Sequence, residues 1–523
     1  MPQSPDTLGV AAELPLYAPP SIHRVWHITF EYPRIAKVGG LAEAVRSMVR
    51  GLVSRGYDVT VIMPSHGVHL NPNRGFWLRA LDFEASGTRI GIDGSHYHYR
   101  IGAEEARLDG ARIILFKGLD TSTGLVFDAP YPYDNAEEKA ALLTRAVTAF
   151  AEQHGLPDLV HVHDWPTVLA GVALKDLGER KGLAIPLVYT IHLSGGKCFP
   201  WHYASEAWSG LQDRLHPVWR VVRHEYLSYR QLWDSLGGCL EAFGVHESDL
   251  FTTVSYGYLD ELLKKYGEWL RPKTCVVYNS TDWRVDEVRE WLRNRYGTDD
   301  RRTLRWRLVV EAQQQCSDKW GWIEPGDGPL YITSGRMTSQ KGFDIALQAL
   351  EYEPRAKLLV LGLPVGDHGY EAWIRGLAAK YSGRAAVLKC RLDPMMYKAL
   401  FYVATGFVAA SRWEPFGIVA VESLAVGTPV IASAVGGLKE IVIDLRRDPV
   451  NGTGLLVEPE NPWALGDAMR TLANIVEYSE LSERVRENCV RRVDTTFRIG
   501  ATTTMLLRCY EKARQMAYYR AHA

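Results

Sequence analysis

The chain of 523 residues exceeds what one ordinary core holds, which points to two domains of roughly 200 to 250 residues each. Hydrophobic residues make up 46% and charged residues 23%, a globular balance. The formal net charge of -1 excludes the basic excess that a nucleic-acid or membrane-surface partner requires, so an anionic ligand must be met by local cations.

Residues 1–20 are Pro-rich and lack the basic start and apolar run of a signal peptide, so they read as a flexible leader. Apolar runs of strand length then alternate with longer amphipathic stretches. Strands are expected at 24–30, 58–63, 112–116, 158–163 and 186–191, and helices at 40–54, 135–154 and 167–180. Residues 203–234, rich in Trp and Tyr, read as mostly helical, and strands resume at 250–255 and 274–278. Residues 283–328 are charged and end in the breaker Glu324-Pro-Gly-Asp-Gly-Pro329, which marks a linker. A second series opens at Leu330, with strands at 357–362, 385–389, 406–410 and 429–432, and residues 499–523 form one long helix.

This pattern predicts an α/β fold of two doubly wound Rossmann-like domains. The first spans 21–328, with 283–328 as its linker, and the second spans 329–498. Ligand is expected at the carboxyl ends of the parallel strands. No run of 18 apolar residues suggests a membrane span. Seven scattered cysteines, odd in number and never spaced CxxC, argue against a zinc site or disulfide framework. They favour a reducing compartment, and the chain reads as cytoplasmic.

Two stretches carry the chemistry. Arg336-Met-Thr-Ser-Gln-Lys341 follows a strand and offers two cations, a guanidinium that can grip phosphate oxygens and an ammonium point charge. A solvated basic loop explains the same residues. Glu414-Pro-Phe-Gly-Ile-Val-Ala-Val-Glu422 follows another strand, and Pro415 can open a helix there. Phe416, Gly417 and Ile418 would present unpaired amides, with Glu422 about 12 Å further along the axis at 1.5 Å per residue. Apolar neighbours make an unpaired Glu422 costly and favour a functional carboxylate. Cations for phosphates and carboxylates for diols are the complement of a nucleotide-activated sugar.

Lys37-Val-Gly-Gly-Leu41 lies between the first strand and first helix, where Gly39 and Gly40 let backbone approach a phosphate, although a tight turn explains them as well. His161, His163 and Asp164 end one strand and His192 the next. The His-x-His pair lacks a completing carboxylate set, so no metal is expected. No Asp-x-Asp pair occurs, which leaves a diphosphate to Arg336, Lys341 and helix dipoles.

These motifs, with His161-Val-His-Asp-Trp165, Tyr189-Thr-Ile-His192, Ser334-Gly-Arg-Met-Thr-Ser-Gln-Lys-Gly-Phe-Asp344 and Asn451-Gly-Thr-Gly-Leu-Leu-Val-Glu458, run in the order of the glycogen and starch synthases. The chain resembles the bacterial and archaeal type of these retaining GT-B glycosyltransferases over most of its length. The resemblance implies two domains facing a deep cleft and a final helix over 499–523 crossing back to the first. It implies an ADP- or UDP-glucose donor, an α-1,4-glucan acceptor and no cofactor or metal. By motif, Lys37, Gly39 and Gly40 would contact the diphosphate, and Arg336 and Lys341 the departing nucleotide. Glu414 with the amides of Phe416, Gly417 and Ile418 would hold the glucose, Glu422 the ribose, and His192 would stand beside the sugar. Asp164 and Asn279 match polar residues of the same site.

The chain departs from the family at Leu193-Ser-Gly-Gly196 and at Tyr278-Asn-Ser-Thr-Asp282, which leaves donor base and acceptor preference open. The alternatives are a GT-B enzyme with a small acceptor, of trehalose- or sucrose-synthase type, and a silent glucan-binding protein. Neither nucleic acid nor membrane is an expected partner, and the sequence is silent on oligomeric state.

Overall fold

Runs such as Val-Trp-His-Ile and Leu-Val-His-Val-His bury side chains on both faces, the pattern of central parallel strands covered by helices. The computed structural model describes Tyr17 and residues 21–220 and 223–522, so the leader expected over 1–20 lies, Tyr17 apart, outside the described residues. The chain divides into two units. The first comprises residues up to Thr252, Leu263–Cys275 and residues from Leu506; the second comprises Thr253–Leu262 and Val276–Met505.

The strands of the first unit are β1 (Arg24–Ile28), β2 (Asp58–Pro64), β3 (Arg79–Ile90), β4 (His96–Leu108), β5 (Ala111–Gly118), β6 (Leu159–His163), β7 (Leu187–Ile191), β8 (Leu215–Arg220), β9 (Arg223–Ser228), β10 (Leu250–Thr253) and β11 (Thr274–Val276). Nine of them form one sheet in the order β11-β10-β7-β6-β1-β2-β5-β4-β3. β1 pairs in parallel with β2 on one side and β6 on the other, and β6 pairs in parallel with β7. The strand order therefore reverses at β1, and the carboxyl ends of β7, β6 and β1 share one edge of the sheet.

The second unit carries β12 (Lys319–Ile323), β13 (Leu330–Arg336), β14 (Lys357–Leu363), β15 (Arg384–Leu388), β16 (Gly406–Ala409), β17 (Val430–Ser433) and β18 (Gly454–Val457). Their order is β12-β15-β14-β13-β16-β17-β18, parallel except for the edge strand β12. The reversal here falls at β13, between β14 and β16. The architecture is that of the GT-B fold, two α/β units built on parallel sheets.

The structure corrects four expectations. Residues 203–234 are not mostly helical: β8 and β9 pair as an antiparallel hairpin, flanked by the short helices Trp201–Ala204 and Tyr229–Ser235. Residues 283–328 are no linker of the first domain. The helices Val285–Tyr296 and Arg301–Gln315 and strand β12 belong to the second unit, where Leu304, Leu308, Val309 and Ala312 are buried despite the charge around them. The antiparallel ribbon β3–β4 had no counterpart in the sequence reading, because β3 is mostly exposed and β4 interleaves its buried residues with charged and polar ones, so neither forms an apolar run.

The fourth concerns the cysteines. Disulfides join Cys198 to Cys239, Cys275 to Cys509 and Cys316 to Cys390, and Cys489 is free and buried. The partners stand 41, 234 and 74 residues apart, so spacing carries no sign of them and the argument for a reducing compartment loses its basis. Burial pushes the Cys489 thiol up to about 12, which leaves it inert. The Cys275–Cys509 bridge joins two residues of the first unit across the longest of the three closed loops, so Cys275→Ser is expected to cost about 2–4 kcal/mol. Thermal melting with and without reductant checks this: the reductant-induced drop should shrink in the variant, and an unchanged drop would assign the effect to another bridge.

Among the described residues no helix is long and apolar enough to cross a membrane. The last helix, Ile499–Ala521, contributes residues to both units, those from Leu506 onward to the first.

Candidate active site

In the second unit, β13 ends at Arg336, which is exposed and makes no ion pair with a described residue. A short turn, Ser339–Lys341, follows and leads through Gly342 into the helix Phe343–Gln348. Gly342 adopts φ 64°, and a Cβ there would overlap the Ala410 carbonyl just beyond β16, so glycine lets the two strand-end loops meet. Arg412 ties them further: its guanidinium takes both oxygens of Asp344 at 3.0 and 2.8 Å and also donates to the Ser339 carbonyl. Burial opposes ionisation of Asp344, but the Arg412 and Tyr370 hydrogen bonds outweigh it and hold the carboxyl below its ordinary value.

This frame brings Lys341 Nζ within 2.6 Å of Glu414 Oε2, which also accepts from Ser411 Oγ at 3.1 Å. Two of the four charges that the sequence singled out, Lys341 and Glu414, thus neutralise each other. Gly436 packs so closely on Glu414 that a Cβ would overlap its carbonyl, and the Gly437 amide donates to that carbonyl at 3.1 Å. The helix after Glu414 starts later than Pro415 predicts, at Ile418, with Gly417 at its N-cap in the left-handed region. The amides of Gly417 and Ile418 donate to no described group and stand at the positive end of that helix. The Phe416 side chain is buried against Tyr278 and Phe497. Glu422 is half-buried on the same helix, and its charge adds to burial in pushing the Tyr397 hydroxyl up. Asn279 also belongs to the second unit, with its Oδ1 buried and lacking a hydrogen-bond partner among the described residues.

In the first unit, Lys37 is exposed and pairs with Glu43 at 2.7 Å. The amide of Gly39, a residue expected to contact the diphosphate, donates to Glu31 Oε2 at 3.0 Å instead, and the Val38 amide joins it there at 2.7 Å. Glu31 is itself buried, and its other oxygen accepts from Tyr133 at 2.8 Å. A carboxylate of the chain therefore shapes the loop that precedes the helix Gly40–Ser54. Sequence reasoning missed Glu31, although its place at the end of β1 was a signal.

Asp164 follows β6 with φ 57° and ψ 174°, a conformation costly for any residue but glycine. It persists because Asp164 Oδ1 accepts from the His192 and Leu193 amides at 2.7 and 3.2 Å, fastening the end of β6 to that of β7. The loop after His192 is held by a second missed residue, Glu241, which accepts from Ser194 Oγ, the Gly195 amide and Tyr266. Burial pushes the Asp164 carboxyl up to about 8 despite the two amides, with the charges of Glu241 and Glu31 adding to the rise. Because the raised group binds its proton more tightly when folded, its contribution is full below the ordinary carboxylate range and fades as pH rises towards about 8. Melting of Asp164→Asn against the parent at pH 5 and pH 8 should show a smaller loss between the two; an equal loss would mean Asp164 ionises normally.

Burial lowers the His192 imidazole to about 3, so it is neutral. His161 and His163 lie with His27 in a buried group whose ring nitrogens fall within 4.8 Å of one another.

A family model described as the starch synthase catalytic domain matches residues 24–272, and one described as glycosyl transferases group 1 matches residues 316–491. The glycogen synthase of Opitutus terrae is 27% identical over 477 residues, covering 86% of this chain and 92% of that protein. That of Myxococcus xanthus is 28% identical over 499 residues, covering 91% and 97%. Among solved structures, the catalytic domain of starch synthase IV from Arabidopsis thaliana, bound to ADP and acarbose, superposes with a TM-score of 0.72 at 20% identity, covering 95% of this chain and 100% of that one. Two strand-end reversals, the charges gathered on their loops and these matches lead to one assignment: the chain is a glycosyltransferase of the glycogen and starch synthase family.

Proposed function

We propose that the protein transfers glucose from ADP- or UDP-glucose to the non-reducing end of an α-1,4-glucan with retention of configuration, as a glycogen synthase. The observation that carries the chemistry is the Lys341–Glu414 pair, set beside the open amides at the start of the helix Ile418–Ala425. A cation there suits a departing diphosphate, and amides with a carboxylate suit sugar hydroxyls.

In this reading Arg336 and Lys341 neutralise the diphosphate, and Lys37 with the Gly39–Gly40 turn serves it from the first unit. Glu414 and the amides of Phe416, Gly417 and Ile418 hold the glucose, and Glu422 holds the ribose. Asn279 contributes a polar lining, while Asp164 positions His192 beside the sugar. No carboxylate is left as nucleophile, so the bond from the anomeric carbon to the phosphate oxygen breaks on the face that the acceptor hydroxyl attacks. The anomeric carbon passes through an oxocarbenium-like state, the new glycosidic bond forms, and the acceptor proton leaves with the nucleoside diphosphate. Catalysis is positioning plus neutralisation of the leaving group. The reading gives no metal a part. It places the reaction in the cytoplasm.

The test is incorporation of labelled glucose from each donor into glycogen, maltose and free glucose. Elongation of glycogen supports the reading. Labelling only of a disaccharide made from free glucose would replace it with a small-acceptor synthase, and no transfer from either donor would leave a glucan-binding protein.

A further inference from the structure

His192 ends a buried chain of hydrogen bonds that runs through the first unit. From the far end, Thr252 Oγ1 meets Thr190 Oγ1, and Thr190 Oγ1 meets His161 Nε2 at 2.6 Å. His161 Nδ1 meets the Tyr510 hydroxyl at 2.9 Å, and that hydroxyl meets His27 Nε2 at 3.1 Å. His27 Nδ1 meets His163 Nε2 at 2.9 Å, and His163 Nδ1 meets His192 Nε2 at 3.1 Å. Burial lowers all four imidazoles, His27 and His192 to about 3, so each is neutral, with one N–H and one lone pair.

With the Thr190 and Tyr510 hydroxyl protons both kept paired in the interior, such a chain has only two arrangements, because fixing one proton then fixes every other. Thr252 decides between them. Its hydroxyl has a single partner among the described residues, Thr190, so its proton goes there or is left unpaired in the interior. With Thr252 donating, Thr190 gives its proton to His161 Nε2, and His161 Nδ1–H donates to Tyr510. The Tyr510 O–H then donates to His27 Nε2, His27 Nδ1–H to His163 Nε2, and His163 Nδ1–H to His192 Nε2. His192 is left with its proton on Nδ1, the nitrogen that has no partner among the described residues.

We propose that Thr252, Thr190, His161, Tyr510, His27 and His163 are positioning residues that lock His192 as the neutral Nδ1–H tautomer, a hydrogen-bond donor aimed at a hydroxyl of the donor sugar. The sugar contact rests on the role given to His192 above; the lock does not. The reversed chain would instead present a lone pair at Nδ1. A lock of this kind supplies a donor without bringing a charge beside a forming oxocarbenium centre.

The test uses the full chain with ¹⁵N-labelled histidine, the His192 signals being assigned by their loss in His192→Gln. At pH 7, Nδ1 of His192 is expected to resonate as a protonated nitrogen and Nε2 as an unprotonated one. Tyr510→Phe removes one hydroxyl three links away and frees the rings to reverse. It should shift both His192 nitrogens towards the average and lower kcat at least fivefold, with donor KM held within twofold. A wild-type His192 protonated on Nε2, or nitrogens unmoved by Tyr510→Phe, would overturn the lock. Shifted nitrogens with unchanged kcat would overturn the sugar contact alone. One equivalent of divalent ion in the purified protein, lost in His161→Gln, would also overturn the lock, because a metal on these rings breaks the chain.

Discussion

Replacing Lys341 by alanine is expected to lower turnover by several hundredfold. The ammonium sits on a turn fixed by Gly342 against Ala410 and by Arg412 across Asp344, so it is already in place before any donor arrives. Removing one preorganised charge from a leaving-group site costs about 2.7–4 kcal/mol of transition-state stabilisation. The substitution also leaves Glu414, buried and otherwise held by Ser411, without its cation. Donor KM and thermal melting measured beside kcat separate the two effects. A fall in kcat at nearly constant KM and melting temperature is the expected result, and near-normal turnover would remove Lys341 from the chemistry. Lys341→Arg should recover only part of the loss, because a planar fork does not replace a point charge on this turn.

The largest effect on stability is expected from Arg520→Ala. Arg520 is 2% exposed and lies within the first unit. It takes both oxygens of Asp249 at 2.8 and 3.0 Å, and donates to Glu179 and to the Ile185 carbonyl. Truncation leaves two buried carboxylates without this partner, a loss of about 3–5 kcal/mol. Burial opposes the Glu179 charge, but Arg520 ahead of Lys175 and Arg214 outweighs it and holds the carboxyl below its ordinary value. Its stabilisation is therefore present above the ordinary carboxylate range and is lost as pH falls through the depressed value. Denaturant unfolding of parent and variant at pH 7 and pH 4 should show the gap narrowing at the lower pH. A loss below about 1 kcal/mol at pH 7 would show that water or the remaining cations satisfy the pair.

What was legible in the sequence was whatever local pattern encodes. The apolar runs at β1, β6, β7 and β13 through β17 announce strands buried on both faces. Arg336, Lys341, Glu414 and His192 stand out because each follows such a run. What local pattern does not carry are partnerships made across the fold. Glu31 against the Val38 amide is read easily only once the loop is seen to double back. Tyr510 meets His161 over 349 residues, and no periodicity records that. The β8–β9 hairpin was lost because its aromatic residues serve a helix face as readily as a strand. The charged stretch 283–328 misled because composition reports the average side chain, whereas packing needs only one apolar stripe per helix.

The order in which the first unit's parts leave the ribosome has a consequence of its own. Its sheet begins with β1, yet Cys509, Tyr510 and Arg520, which bond it internally, are made after the whole second unit. The second unit has all its residues once Met505 emerges, whereas the unit begun first is completed last. The nascent first unit must wait through about half of synthesis with its histidine chain open and two carboxylates unpaired. Ribosome-bound chains ending at Met505 and carried out of the exit tunnel by an unrelated linker are therefore expected to resist protease in the second unit and yield in the first; equal resistance in both would show that the late residues add stability without being needed for folding.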